Sequence, residues 1–279
     1  MNGAIRATTR RSIPSFRSPT LSLRLPAMLS ASVRAGQRLL FFLDYERPLP
    51  RCADVPPDAW LSRLAGDLAV LAASDKISLA IVSRLSINDL RAGMSLPGAI
   101  YAGSHGLEID GPAVHFRHPL ADKRRPLLET LAQTLQTRLA DVAGVAVRLE
   151  EAAVAVHVEH ATPKDVRWLD AIIEELIDRD GRLSIVRGRH TIDVLPTRAW
   201  GRARCVSYIR DAVLRPQGST VTTVYLGDDD AEDAFRVLGK SMLTVKIGGT
   251  PLTWAACRLP DVETTQATLA ALAYIVASV

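Results

Sequence analysis

The chain has 279 residues, of which 48% are hydrophobic, and it carries a formal net charge of +4. This composition is sufficient for a large folded core, and no apolar run approaches the ~20 residues that span a bilayer. The excess positive charge lies in residues 1–43, which hold seven arginines and no acidic residue. The remainder is slightly acidic, so its charge predicts neither nucleic-acid binding nor a membrane partner.

Residues 1–37 form a basic arm that we expect to be disordered. The arm is rich in Arg and Ser, which is also typical of a transit peptide, so that alternative stays open. Three cysteines, Cys52, Cys205 and Cys257, are widely spaced along the chain. Their spacing argues against a disulfide framework or a zinc knuckle and favours a reducing compartment. We therefore expect a cytoplasmic protein, with the arm as the only feature suggesting otherwise.

The first part of the chain alternates between short apolar strands and amphipathic helices. Strands are predicted at residues 39–43, 77–82 and 99–102. The first strand ends at Asp44 and the second at Ser83. Because the carboxyl ends of parallel strands meet at one edge of a sheet, where ligands bind, these two side chains are candidates for a common site.

The middle of the chain has a different pattern. Helices are predicted at 119–139 and 164–177, and strands at 145–149, 154–158, 183–186 and 190–194. The parallel pattern then resumes with a helix at 202–214 and strands at 222–226 and 243–247. We therefore predict an α/β protein with a Rossmann-like parallel-sheet core, residues 38–111 and 199–279, and an inserted α+β cap domain, residues 112–198.

Three polar clusters follow three of the predicted strands: Asp44, Ser83, and Asp228 with Asp229. Carboxylates at close range repel one another, so such a site needs a cation, and Mg²⁺ prefers oxygen ligands. A carboxylate nucleophile, a hydroxyl donor and a metal ion together suit phosphoryl transfer. The alternative for each acidic residue is an ordinary loop position or a helix N-cap.

Several segments resemble the motifs of trehalose-6-phosphate phosphatases of the haloacid-dehalogenase type. Phe42-Leu43-Asp44-Tyr45-Glu46 resembles the first motif and Ala80-Ile81-Val82-Ser83 the second. The segment Gly103-Ser104-His105-Gly106 is similar to Gly-Asn-His-Gly, and Gly227-Asp228-Asp229 with Glu232-Asp233-Ala234-Phe235 resembles the fourth motif. The motifs stand in the family's order from about residue 39 onwards. The resemblance implies a core with a cap, Mg²⁺ as cofactor, and a sugar phosphate bound between core and cap.

The resemblance also implies roles for individual residues. Asp44 corresponds to the nucleophile and Glu46 to the general acid and base. The implied metal ligands are Asp44, Glu46, Asp228 and Asp229. The implied phosphate and substrate contacts are Ser83, Arg202, His105 and Glu150. Glu150 enters through Arg148-x-Glu150, which falls on the family's sugar-binding Glu-x-Lys in the cap with the charges reversed.

Two of the departures from the family's motifs bear directly on the predicted catalytic residues. Arg47-Pro48 replaces the Gly-Thr that follows the second carboxylate, and Pro48 has no N–H to donate. Trp200 occupies the position of the third-motif lysine, two residues before Arg202. Arg and Lys differ in geometry, so Arg202 is a stand-in by charge only. Two hypotheses follow: a sugar-phosphate phosphatase, or an inactive homologue that binds a sugar phosphate or a partner protein.

Overall fold

A computed structural model describes residues 20–21, 24–45, 57–112, 114–178, 181–215, 221–250 and 252–278. In chain order the strands are β1 (Thr20–Leu21), β2 (Arg38–Asp44), β3 (Ile77–Val82), β4 (Ile100–Gly103), β5 (Glu108–Gly111), β6 (Val114–Arg117), β7 (Ala146–Leu149), β8 (Val154–His157), β9 (Ser184–Arg187), β10 (Thr191–Leu195), β11 (Val221–Gly227), β12 (Leu243–Ile247) and β13 (Cys257–Leu259). The helices are α1 (Leu25–Arg34), α2 (Pro57–Ala73), α3 (Ile87–Gly93), α4 (Pro119–Lys123), α5 (Arg125–Arg138), α6 (Pro163–Asp178), α7 (Arg202–Leu214), α8 (Glu232–Leu238) and α9 (Val262–Ser278).

The central sheet has the strand order β1-β13-β12-β11-β2-β3-β4-β5-β6. Neighbouring strands are parallel from β1 across to β4, and β5 and β6 continue the sheet in antiparallel pairs. The predicted parallel-sheet α/β core is therefore confirmed. Because β2 lies between β11 and β3, the carboxyl ends of these three strands meet at one edge.

Strand β2 is buried on both faces, which explains its uninterrupted apolar sequence. Leu39, Phe41 and Leu43 pack on one side of the sheet, in a core that also contains buried residues of α1, α3 and α9. Leu40 and Phe42 pack on the other side, against α7 and α8. Since side chains alternate along a strand, this double packing fixes the register and carries Asp44 to the sheet edge.

The cap consists of an antiparallel sheet of order β7-β8-β10-β9, covered by α5 and α6. The prediction of one continuous helix at 119–139 is wrong, because the structure has two helices there, α4 and α5. The break falls at Arg124, two residues before Pro126. Proline lacks the N–H that would bond to the carbonyl of Asp122, so a continuous helix is disfavoured at this point.

Two predicted boundaries need correction. Part of the arm expected to be disordered is folded, since α1 lies within residues 1–37 and buries Leu25, Leu29 and Val33. These residues lie one turn apart and form an apolar stripe in the core shared with α9, which the basic composition did not reveal. The core also continues past Gly111, because β6 pairs with β5 in the central sheet.

The described helices were also compared with the length and hydropathy that a bilayer requires. Within the ranges given above, none is both long enough and apolar enough to cross a membrane.

Candidate active site

Asp44 is the last residue of β2, and it is 5% exposed. It lies beside Val82 of β3, and the strand on its other side is β11, which pairs with β2 through Leu226 and Leu43. The parallel neighbours therefore bring Asp44 next to the residues that follow β3 and β11. This arrangement gives the carboxylate a buried position at the edge where ligands bind in such sheets.

One oxygen of Asp44 has a hydrogen bond from β11 and an ion pair with α7. The Tyr225 hydroxyl donates to Oδ2 at 2.8 Å, and Arg202 Nε lies 3.2 Å from that oxygen. Arg202 is the first residue of α7, and its Nη1 also donates to the carbonyl of Asp230 at 2.7 Å. The structure therefore brings Arg202 to Asp44, although Arg202 lies two residues beyond the lysine position of the resemblance.

Tyr225 was not identified from the sequence. It is fully buried in β11, beside Phe42, and burial with the nearby Asp44 charge raises the pKa of its hydroxyl well above the usual value. The hydroxyl therefore stays protonated and acts as a donor. A tyrosine in a predicted buried strand was the available signal, because a buried hydroxyl needs a hydrogen-bond partner.

The two aspartates after β11 have different environments. Asp228 Oδ1 accepts from the Asp230 N–H at 2.9 Å, and burial raises the pKa of Asp228. Asp229 lies 2.6 Å from Lys246 Nζ and 3.1 Å from Arg189 Nη2. Burial opposes ionisation of Asp229, but the hydrogen bonds from Lys246 and Thr250 outweigh it and lower its pKa. Asp229 is therefore an ionised partner of protein cations.

The predicted magnesium ligands do not assemble into a metal site in the described part of the chain. Within those ranges no group of three His, Cys, Asp or Glu residues is placed to hold a metal ion. Asp44 and Asp228 are oxygen donors of the type that Mg²⁺ prefers, but Asp229 is engaged by Lys246. Glu46, the remaining predicted ligand and the predicted acid and base, lies outside the described residues. The donor set as described does not fit Mg²⁺.

Ser83 follows β3 and is fully buried beside the end of β2. Its Oγ accepts from the backbone N–H of Leu85 at 3.1 Å. A hydroxyl that accepts through a lone pair keeps its own hydrogen for donation. The structure therefore places the predicted Ser83 hydroxyl near the end of β2, with its hydrogen not used in this bond.

His105 of the core contacts the cap. Its Nε2 lies 2.9 Å from Asp193 Oδ2, and both residues are buried. Ser104 and His105 adopt positive φ angles of 51° and 58°, an uncommon conformation for residues other than glycine. Asp193, in β10, was not identified from the sequence, although a carboxylate within an apolar strand was a visible signal. His105 was predicted to contact substrate, and the structure places it against this carboxylate.

Glu150 borders a cavity of about 670 Å³ between the core and the cap. Arg84 and Asp89 line it from the core, and Arg148 and His157 line it from the cap. Burial, then the Asp89 charge, raises the pKa of Glu150, whereas burial with Arg84 and Arg148 lowers the pKa of His157. Among the described residues, His157 Nε2 is buried without a hydrogen-bond partner. The cavity is thus lined by both hydrogen-bond donors and acceptors.

The sequence was compared with models of known protein families. The trehalose-phosphatase model matches residues 42–254. The chain belongs to the trehalose-phosphatase family. Its sequence is 31% identical over 214 residues to a trehalose-phosphate phosphatase of Mycobacterium tuberculosis, covering 76% of this chain and 54% of that protein. A Mycobacterium marinum trehalose-phosphate phosphatase is 29% identical over 208 residues, with 74% and 53% covered. The chain thus spans about half the length of the curated relatives it matches.

Solved structures support the same fold for this trehalose-phosphatase family member. The C-terminal domain of a Candida albicans trehalose-6-phosphate phosphatase superposes with a TM-score of 0.70 at 18% identity, over 94% of this chain and 99% of that one. The C-terminal domain of a Candida albicans trehalose synthase regulatory protein gives 0.61 at 15% identity, over 88% and 97%. A haloacid dehalogenase-like hydrolase of Bacteroides thetaiotaomicron gives 0.52 at 14% identity, over 87% and 99%. The predicted haloacid-dehalogenase-type core is therefore confirmed.

Trp200, which the resemblance aligns with a lysine, makes structural contacts in this protein. Its Nε1 donates to the Gly106 carbonyl at 2.7 Å, and its ring stacks on Phe116 with centroids 4.8 Å apart. Gly106 has φ +81°, and a Cβ there would lie 2.4 Å from Cys205 Cβ. In this trehalose-phosphatase family member, an indole therefore braces the loop after β4, and Arg202 supplies the positive charge at Asp44.

Proposed function

We propose that this chain hydrolyses the phosphomonoester of a sugar phosphate, trehalose 6-phosphate being the substrate suggested by its relatives. The observation that carries the proposal is the position of Asp44, a buried carboxylate at the carboxyl edge of the parallel sheet with the Ser83 hydroxyl and the Arg202 guanidinium beside it. A carboxylate so placed can act as a nucleophile, and hydrogen-bond donors and a cation suit a phosphoryl group.

The proposed reaction has two steps. An oxygen of Asp44 forms a bond to phosphorus while the bond from phosphorus to the sugar oxygen breaks, and Glu46 protonates the departing oxygen. Water then attacks the aspartyl phosphate, with Glu46 accepting its proton, so that inorganic phosphate leaves and the Asp44 carboxylate is restored. Ser83 donates to a phosphoryl oxygen, and Arg202 offsets the negative charge of the phosphoryl group.

The sugar of the substrate is assigned to the cavity between core and cap. Glu150 and His157 line its cap side and offer an acceptor and a ring nitrogen to sugar hydroxyls. Magnesium, which the resemblance implies, receives no step here because the described carboxylates do not fit it.

A second candidate is a homologue that binds a sugar phosphate without turning it over. The observation that favours it is that Asp44 Oδ2 is already bonded to Tyr225 and paired with Arg202. A carboxylate held in this way is a weaker nucleophile, because its negative charge is stabilised before the substrate arrives.

The test is phosphate release from trehalose 6-phosphate by the full chain, with Mg²⁺ and separately with a chelator. We expect Asp44→Asn to lower the rate by several orders of magnitude, as loss of a nucleophile does in other enzymes. Asp141→Asn, at an exposed position of the cap, is the matched control and should leave the rate unchanged. Equal release by wild type and Asp44→Asn would exclude the phosphatase. Binding of trehalose 6-phosphate without release would instead support the second candidate.

A further inference from the structure

Three carboxylates, Asp44, Asp228 and Asp229, gather at the carboxyl edge of the sheet. A Cβ placed on Gly227 would lie 3.5 Å from Asp44 Cβ, so the turn after β11 is packed against Asp44. The charges of Asp44 and Asp228 both act on the Tyr225 hydroxyl, which places them in one electrostatic neighbourhood. Such a cluster folds only if positive charge compensates it.

The compensation comes from protein cations. Arg202 Nε lies 3.2 Å from Asp44, and Lys246 Nζ lies 2.6 Å from Asp229. Lys246 is fully buried in β12 and also lies 2.8 Å from Glu232. Arg189 of the cap adds a second cation at Asp229, at 3.1 Å. Asp44 and Asp229 therefore each have a positive partner supplied by the chain itself.

Arg202 is held in a fixed position beside Asp44. The Nη1 group donates to the Asp230 carbonyl at 2.7 Å, while Nε faces Asp44. The side chains of Arg202 and Asp44 are 11% and 2% exposed, so bulk water and salt screen the pair weakly. A guanidinium does not lose its proton in proteins, so this positive charge is constant with pH.

Tyr225 contacts the same oxygen of Asp44 that Arg202 contacts, Oδ2. Its hydroxyl donates to Asp44 Oδ2 at 2.8 Å. The same oxygen therefore has one hydrogen bond and one ion pair, the second to the guanidinium 3.2 Å away. A metal ion at Oδ2 would meet the positive charge of Arg202 at close range, and like charges repel.

We propose that Arg202 takes the place of a divalent cation at Asp44, so that this chain binds a phosphate monoester without a metal ion. The inference rests on the proposed function for the identity of the ligand, but it concerns binding and is tested without turnover. The guanidinium beside Asp44 is a fixed positive charge, and a guanidinium suits phosphoryl oxygens in both charge and shape. Lys246 and Arg189 keep Asp229 engaged, so that it is not recruited as a metal ligand.

The first experiment titrates inorganic phosphate, and separately trehalose 6-phosphate, into the full chain by calorimetry. One series contains a chelator and the other contains Mg²⁺. We expect dissociation constants that agree within about twofold, because the cation at the site is part of the protein. Binding that requires Mg²⁺, or that Mg²⁺ strengthens more than about tenfold, would overturn the inference.

The second experiment measures Mn²⁺ binding by electron paramagnetic resonance, with Mn²⁺ as a probe for a divalent site. Wild type should show no site that depends on Asp44. Arg202→Gln should gain such a site, and the double variant Arg202→Gln/Asp44→Asn should lack it. In chelator, Arg202→Gln should bind phosphate at least about tenfold more weakly than wild type. Arg210→Gln, on the same helix, is the matched control and should behave as wild type. A wild-type Mn²⁺ site that Asp44→Asn abolishes would refute the inference.

If Arg202→Gln does not fold, Arg202→Lys is measured in its place, because lysine retains the positive charge beside Asp44. It should preserve phosphate binding in chelator, weakened by no more than about tenfold because a lysine lacks the planar fork. Absence of metal-free phosphate binding from both wild type and Arg202→Lys would count against the inference. If wild type binds phosphate without metal but releases no phosphate from trehalose 6-phosphate, the inference on metal-free binding holds and the proposed hydrolysis fails. The two proposals can therefore fail separately.

Discussion

His105 and Asp193 join the core to the cap through a hydrogen bond of 2.9 Å that is almost wholly removed from solvent. His105 lies in the loop after β4, and Asp193 lies in the central part of the cap sheet. The second oxygen of Asp193 is buried without a hydrogen-bond partner among the described residues. The pair therefore links the two domains at a position where water does not compete for the bond.

The first prediction concerns this link. Asp193→Ala removes the partner of His105 and should lower the free energy of unfolding by about 1–3 kcal/mol, the usual cost of leaving a buried polar group unsatisfied. Urea unfolding measures the change. Asp141→Ala, at an exposed cap position, should stay within about 0.5 kcal/mol of wild type. A loss in Asp193→Ala no larger than in this control would mean that the pair does not hold the domains.

The second prediction concerns Tyr225. Tyr225→Phe keeps the ring in β11 and removes only the hydroxyl that donates to Asp44. Without that donor Asp44 is less restrained, so phosphate release should change at least about tenfold while the affinity for trehalose 6-phosphate stays within about threefold. An increase in rate would indicate that the bond weakens the nucleophile, and a decrease that it positions the nucleophile.

Steady-state kinetics over a range of pH provides the measurement for Tyr225→Phe. Tyr274→Phe is the matched control, because Tyr274 is 75% exposed on α9. If both variants have the same rate and pH profile as wild type, the contact with Asp44 has no part in the reaction.

The third prediction concerns the buried lysine. Lys246→Met replaces the ammonium with a side chain of similar length and leaves Asp229 and Glu232 without the cation they share. We expect a loss of about 2–4 kcal/mol in the free energy of unfolding, since breaking a buried ion pair is strongly destabilising. Chemical denaturation tests this, with the exposed Lys240→Met as the control. A Lys246→Met variant as stable as Lys240→Met would contradict the role of Lys246 as a structural cation.

The fourth prediction concerns pH and the cavity between core and cap. Burial, with Arg84 and Arg148, lowers the pKa of His157 in the folded protein. The unfolded chain, with a His pKa of about 6.5, therefore binds more protons at mildly acidic pH. Stability should fall as the pH decreases from about 6.5 towards the lowered pKa, and His157→Gln should reduce this fall.

The pH series is best recorded in the Glu150→Gln background. Burial raises the pKa of Glu150, so the ionised Glu150 lowers the stability of the folded protein. This stability is regained as the pH falls through the raised pKa, so Glu150 and His157 change the free energy of unfolding in opposite directions. His160→Gln, at an exposed position in the same region, serves as the control. An acid dependence that is the same in His157→Gln and His160→Gln would show that His157 does not titrate as inferred.

The sequence predicted the parts of the fold that depend on local patterns. The runs at 39–43, 77–82 and 222–226 became β2, β3 and β11 because strands buried on both faces need mostly apolar and β-branched sequence. The same runs located Asp44 and Ser83, since a strand that ends at a sheet edge presents its next polar residue there. Composition was a poor guide to the arm, where burial of Leu25 and Leu29 outweighs the basic character.

The sequence by itself therefore determined the class of fold, the order of the motifs and the position of Asp44 at a strand end. Tertiary structure alone decided what surrounds that carboxylate. Tyr225 reaches Asp44 through the register between β11 and β2, and Arg202 reaches it through the packing of α7 on the sheet. Asp193 meets His105 only when the cap packs on the core. These contacts join residues far apart in the chain, and local periodicity carries no information about such distances.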